Sequence, residues 1–233
     1  MENSNSLPKS ELIASEKQKF IARVYGWMTV ALLLSGAAAW FTASSETLLR
    51  LLFGNGFGFM ILAVAEIALV WWLSASIRKI SSGAAVAAFL VYSLINGVTL
   101  ASVFLVYTGD SLVSMFGITA LMFGVMSVFG LFTKSDLNSA GRYLMMALVG
   151  ILIASLVNFL LRSSRLDWII SVVSVVVFTG LAAYDSQKIA RAAVYADGSE
   201  VFHKAAVIGA LELYLDFINI FLSLLRLFGK RKN

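Results

Sequence analysis

The chain has 233 residues, 60% of them hydrophobic against 13% charged, with a formal net charge of +5 and no cysteine. That balance argues against a water-soluble protein, and the missing thiols exclude disulfides and thiolate metal sites. The basic residues sit at the ends of apolar blocks and in the last few positions, so they fit membrane topology rather than nucleic-acid binding.

A hydrocarbon core about 30 Å thick needs roughly 20 apolar residues per helix. Seven such blocks follow one another, at 24–41, 56–76, 83–107, 111–132, 143–161, 168–184 and 205–228. The run from Ile169 to Phe178 is apolar on every side, unlike the alternating segments of a transmembrane β-barrel. The fold class expected is an all-α integral membrane protein, a seven-transmembrane-helix bundle with a polar-seamed last helix. Connections of a few residues leave no room for a separate soluble domain.

In chain order, residues 1–23 form a polar tail containing Glu2, Glu11, Glu16, Lys9, Lys17, Lys19 and Arg23. Ala37-Ala38-Ala39 imitates a signal-peptide cleavage site, but a tail of 23 residues containing three glutamates is unlike the short basic start of a cleaved signal. The first block is therefore read as an uncleaved span. The second block carries Glu66 and ends at Arg78 and Lys79.

Ser93 with Asn96 in the third block and Ser155 with Asn158 in the fifth read as interhelical hydrogen-bonding rungs. Gly117, Ala120, Gly124 and Ser127 make a small-residue stripe on the fourth, which predicts close helix packing. Trp27, Trp40, Trp71, Trp72 and Trp168 lie toward span ends, as interfacial anchors do. The single histidine, His203, reads as an exposed loop residue, and residues 229–233 form a short basic tail after a membrane domain of 24–228.

Counting lysine and arginine by side gives eleven with the amino-terminal tail and the second, fourth and sixth connections, and seven on the other side. The positive-inside rule then predicts a cytoplasmic amino terminus. Arg226, Lys230, Arg231 and Lys232 offend that rule, so the last segment either crosses against the bias or re-enters; a seventh crossing is the reading adopted.

Four acids fall well inside the blocks: Glu66, Asp185, Glu212 and Asp216. A carboxylate at a helix centre costs about 2.5–3.5 kcal/mol on insertion scales, so such residues face a bundle interior, a partner or water. Glu212, Asp216, Asn219, Ser223 and Arg226 recur at three- and four-residue spacing and share one helical face. Oxygen-rich side chains at that spacing suit a path for a hard cation. With an inside amino terminus, Arg78 and Asp185 lie at matching ends of their spans, where an ion pair fits. Asp185 and Asp216 differ in depth by roughly 10 Å for straight helices. If the two approach, like-charge repulsion makes them a proton sensor.

Gly180-Leu-Ala-Ala-Tyr-Asp185-Ser-Gln-Lys-Ile189 and Leu211-Glu-Leu-Tyr-Leu-Asp216-Phe-Ile-Asn-Ile-Phe-Leu-Ser-Leu-Leu-Arg226-Leu-Phe-Gly229 closely resemble the two signature stretches of the Bax inhibitor-1 family. Tyr25-Gly-Trp-Met-Thr29 and Asn96-Gly-Val-Thr-Leu100 suit its bacterial branch. The resemblance implies seven helices around a central last one, and a pH-sensitive calcium leak. It places Asp185 and Asp216 as the paired pH sensor, Arg78 as the arginine that pairs with the first of them, and Glu66 at the position of another family acid. Transient calcium contacts fall on Asp185 and Asp216, with no firm metal site. Glu66, Glu212, Asn219 and Ser223 are the candidate ion pathway.

An intramembrane aspartyl protease would show a Gly-x-Gly-Asp context and a Pro-Ala-Leu motif; Asp216 follows Leu-Tyr-Leu, and the only proline is Pro8. A retinal protein needs a lysine midway along its last span, which this span lacks. The expectation is therefore a non-enzymatic leak channel without a cofactor, whose partners are the lipid bilayer, calcium ions and protons. The alternative is a non-transporting membrane regulator of a quality-control protease or a stress or death pathway, with a membrane-protein partner. A plasma membrane location follows, the inner membrane in a bacterium.

Overall fold

The computed structural model describes residues 9–54 and 57–232, without the side chains of 9–13. Glu2, the side chains of Lys9 and Glu11, and the expected start of the second span at residue 56 lie outside the described residues. The described elements are α1 (Lys9–Ala43), α2 (Glu46–Phe53), α3 (Phe57–Ser76), α4 (Ser82–Val106), α5 (Gly109–Phe132), α6 (Asn138–Leu161), α7 (Ser164–Ala193) and α8 (Glu200–Phe228). All but α2 are long and apolar enough to cross a membrane, giving the seven-helix bundle expected.

The amino-terminal part of the chain differs from the expectation in two ways. The segment read as a polar tail is helical from Lys9, because Phe20, Val24, Met28, Ala31, Ser35, Ala39 and Thr42 recur at three- and four-residue spacing and are all buried. That stripe carries the helix past its charged first turns, where Glu16 and Lys19 form an ion pair of 2.7 Å. The short α2 was not anticipated. Its Glu46 and Arg50 pair at 2.6 Å on one face, Leu51 is exposed, and Ser45 caps its start by accepting from the Leu48 amide. Ser81, Thr108 and Ser163 cap α4, α5 and α7 in the same manner.

α8 is central and buries fourteen of its residues in the bundle, whereas α6 buries only Gly141 and Ile151. It packs against α1, α4, α5 and α7, while α3 leans on α4 and α6 on α7 at the periphery. The carboxy-terminal residues fix where α8 ends. Thr108 donates its amide to the Lys230 carbonyl at 3.0 Å, and Lys232 donates to the Val106 carbonyl at 2.9 Å. The tail is thereby tied to the α4–α5 turn. The Lys204 ammonium donates to the Ile80 carbonyl at the other end of the bundle, so α8 runs from one end to the other and does not re-enter.

The small-residue stripe does not do what was expected of it. Gly117 and Ala120 are exposed, and a side chain added at Gly117 or Gly124 would meet nothing within 4 Å. Those positions turn outward because α5 buries the adjacent face bearing Met115, Thr119, Phe123 and Ser127. Close approach occurs instead at Gly130, where a Cβ would collide with the Ala183 carbonyl of α7. Trp40, Trp71, Trp72 and Trp168 are exposed, but Trp27 is half-buried against the core. His203 is not a loop residue; it lies in the first turn of α8, half-buried.

Candidate functional site

The antiparallel packing of α7 on α8 has a readable register. Lys188 meets Glu212, and a side chain added at Gly209 would touch Ile189. Continuing one turn inward sets Asp185 beside Asp216, so that their carboxyl groups are neighbours. The depth difference anticipated for straight spans disappears because α7 continues to Ala193 and α8 begins at Glu200, so each helix overshoots its apolar block. Asp185 is 9% exposed and Asp216 4%. Two carboxyl groups side by side bond only through a proton that one of them carries. Asp216 Oδ2 is buried without a hydrogen-bond partner.

The nearest counter-charge is not Arg78. Arg78 is exposed beyond the end of α3, and among the described residues it forms no ion pair with Asp185. The cation beside the aspartates is Lys188, three residues on from Asp185 along the same face of α7, with its ammonium 2.6 Å from Glu212 Oε1. Arg78 instead lines the mouth of a cleft of about 520 Å³ together with Lys188, Lys204 and Glu212. Lys188 and Glu212 thus lie between this cleft and the aspartate pair.

Four consecutive residues of α7 reach α8, α1 and the α5–α6 loop. Asp185 meets Asp216 of α8, and Ser186 Oγ lies 2.9 Å from the Tyr25 hydroxyl of α1. Gln187 accepts from the Leu137 amide at 2.9 Å and donates to the Ser135 carbonyl at 2.7 Å, holding the α5–α6 loop. Lys188 returns to α8. Arg191, one turn further, donates to Asp136 Oδ1 in that loop at 2.6 Å. Asp136 lies outside the spans, and this guanidinium holds its carboxyl below the usual carboxylate range.

Glu66 belongs to a different network. It accepts from Asn96 Nδ2 at 3.0 Å and from the Thr99 hydroxyl, both on α4. Asn96 Oδ1 accepts from the Tyr214 hydroxyl at 2.8 Å, and that hydroxyl lies 2.6 Å from Ser35 Oγ. Three helices and the half-buried carboxyl of α3 are joined in this way. Tyr214 and Asp216 are two residues apart, about 200° around α8, so the Glu66 network and the aspartate pair occupy opposite sides of the helix. The expectation for Asn96 as an interhelical rung is met; Asn158 instead accepts from the Ser163 amide at the end of its own helix.

The remaining seam residues are spread toward the other end of the bundle. Asn219 Nδ2 turns back to the Leu215 carbonyl at 2.8 Å, Ser223 is buried, and Arg226 lies 3.9 Å from Asp167. Beyond Asp216 in that direction the interface of α5 and α8 is closed by rings. Phe217 sits edge-on to Phe116 and Phe123, with centroids 5.3 and 5.6 Å away, and Phe116 also meets Phe221 at 6.2 Å. Among the described residues no group of three or more histidine or acidic side chains is arranged to hold a metal ion.

The family model described as inhibitor of apoptosis-promoting Bax1 matches residues 17–233. The inner membrane protein YbhL of Escherichia coli is 47% identical over 230 residues, 97% of this chain and 98% of its own. An uncharacterized protein of Borreliella burgdorferi is 47% identical over 218 residues, 93% of this chain and 94% of its own. Uncharacterized protein RP147 of Rickettsia prowazekii is 39% identical over 216 residues, 93% of this chain and 91% of its own. The chain belongs to the Bax inhibitor family.

Proposed function

We propose that this member of the Bax inhibitor family is a pH-sensitive calcium leak channel, gated by a proton shared between Asp185 and Asp216. The observation that carries the reading is the contact of those two carboxyl groups in the bundle interior, on the central helix and its neighbour. While the proton is held, the pair fastens α7 to α8. Its loss sets two carboxylates against each other, and unit charges about 4 Å apart repel by roughly 4 kcal/mol at an effective dielectric constant near 20. That is enough to move a two-state packing from mostly closed to mostly open.

The 520 Å³ cleft supplies an entrance that ends at Lys188 and Glu212, and the ring cluster around Phe217 supplies the closure beyond the pair. Lys188 is the counter-charge that moderates the repulsion. The name of the Escherichia coli relative, an inner membrane protein, supports an inner membrane location, and the lysine and arginine distribution supports an amino terminus on the cytoplasmic side.

Purified protein in liposomes loaded with a calcium dye tests the reading. Wild type should pass calcium with a pH-dependent rate, and Asp185→Asn and Asp216→Asn should each flatten that dependence. Unchanged pH-dependent flux in both variants removes the aspartate gate. Absence of wild-type flux at every pH favours instead the non-transporting regulator of a membrane protease or stress pathway.

A further inference from the structure

We propose that the cleft bounded by the ends of α3 and α7 and the start of α8 is a binding site for an anionic phospholipid, with Arg78 and Lys204 holding the phosphate. The cleft has about 520 Å³, and its charged side chains are three cations, Arg78, Lys188 and Lys204, against one carboxylate, Glu212. Glu212 is already matched by Lys188 at 2.6 Å. What is left over is positive. Lys204 uses one of its donors on the Ile80 carbonyl at 3.1 Å, which fixes the ammonium at the rim and leaves two donors free. Arg78 is exposed and has no ion pair among the described residues, so its whole planar fork is available.

Below this rim the cleft is apolar, walled by Phe20, Ile189 and Ile208. A soluble phosphate compound gains nothing from such walls, whereas an amphiphile buries an acyl chain against them while its headgroup meets the cations. Depth agrees. Arg78 follows the last residue of α3, Ser76, and Lys204 is in the second turn of α8, so both lie at the headgroup level of their helices. Basic pockets between helices at that level suit anionic headgroups, each cation contributing about fivefold in affinity near a membrane surface. The site shares its cleft with the entrance proposed for calcium, but it needs only the cleft and its charges, so it stands or falls apart from the calcium reading.

Native mass spectrometry of the protein released from detergent tests this, with phosphatidylglycerol, phosphatidylcholine and glycerol phosphate added in turn. Phosphatidylglycerol should form one saturable adduct that phosphatidylcholine does not. Arg78→Gln should weaken it about fivefold, and Arg78→Gln with Lys204→Gln about 25-fold. Lys134→Gln with Arg142→Gln, which removes two cations at the same end of the bundle, should leave the adduct unchanged. Because Lys204 also tethers the α3–α4 turn, the single change at exposed Arg78 decides the matter if the double variant fails to fold. An adduct indifferent to Arg78→Gln, or phosphatidylcholine retained equally, overturns the site. Glycerol phosphate binding as tightly as the lipid overturns the lipid as occupant.

Discussion

Lys188 Nζ lies 2.6 Å from Glu212 Oε1, one helical turn from the point where Asp185 meets Asp216. Three carboxyl groups on two helices therefore share one ammonium. This is the arrangement whose balance decides when the aspartate pair gives up its proton. Removing the ammonium leaves the carboxyls to repel one another, so a proton is retained to higher pH. Lys188→Gln should move the pH at which calcium flux rises upward, and Glu212→Gln should move it downward. Dye-loaded liposomes read at half-unit pH steps check both. Flux curves that superimpose on wild type would remove Lys188 and Glu212 from the gate while leaving the aspartates in it.

The ring cluster gives a second expectation. Phe217 is buried between Phe116 and Phe123 at the interface of α5 and α8. Phe217→Ala removes the ring common to both contacts and leaves a void, at a cost of about 3 kcal/mol for a large-to-alanine core change. Basal calcium flux at closing pH should rise, and the unfolding midpoint in mixed detergent should fall. Phe217→Leu, which refills most of the volume, should restore stability but only part of the closure. A leaky Phe217→Leu and a tight Phe217→Ala together would contradict the role.

The buried network on the far side of α8 is structural by its geometry, and its cost can be read separately. Tyr214 is fully buried, donates to Asn96 Oδ1 at 2.8 Å and lies 2.6 Å from Ser35 Oγ. Tyr214→Phe keeps the ring contacts with Phe89 and Tyr92 and removes only the hydroxyl. Interhelical hydrogen bonds in membranes contribute about 0.6 kcal/mol on average and up to about 1.7 kcal/mol. The variant should lose stability within that range, measured by unfolding in mixed micelles, while its flux keeps the wild-type pH dependence. A shifted pH dependence would show that the two sides of α8 are coupled.

Much of this was legible in the residues, for physical reasons that can be named. Counting apolar runs finds every span because lipid tolerates no polar face. The same count stops at the first charge, so it misses the amphipathic turns around Phe20 in α1 and the eight residues of α2. The acids Asp185 and Asp216 stand out because burying them is costly. Their counter-charge was assigned to Arg78 by matching span ends, although Asp185 to Lys188 and Glu212 to Asp216 are already three and four residues apart on facing helices. Tyr214 was hidden because a tyrosine counts as apolar in a span, and only packing shows that its hydroxyl reaches Asn96 and Ser35.

The last expectation concerns the loop that α7 holds. Arg191 donates to Asp136 Oδ1 at 2.6 Å, and Gln187 bonds the backbone at Ser135 and Leu137. The Asp136 carboxyl is held below the usual carboxylate range by this guanidinium. A lowered folded value means the tether is fully present above the unfolded carboxylate range and is lost as pH falls through the folded one. Asp136 is exposed, so the effect is local, and Gln187 keeps the loop in place at every pH. Amide exchange over residues 134–138 should be slow and flat above about pH 5, once corrected for its intrinsic pH dependence, and rise only on acidification. Asp136→Asn should show the faster exchange at all pH values, and Gln187→Ala should accelerate it further, because the two backbone contacts are lost with the side chain. Equal protection in Asp136→Asn and wild type at neutral pH would mean that Gln187 alone fastens the loop.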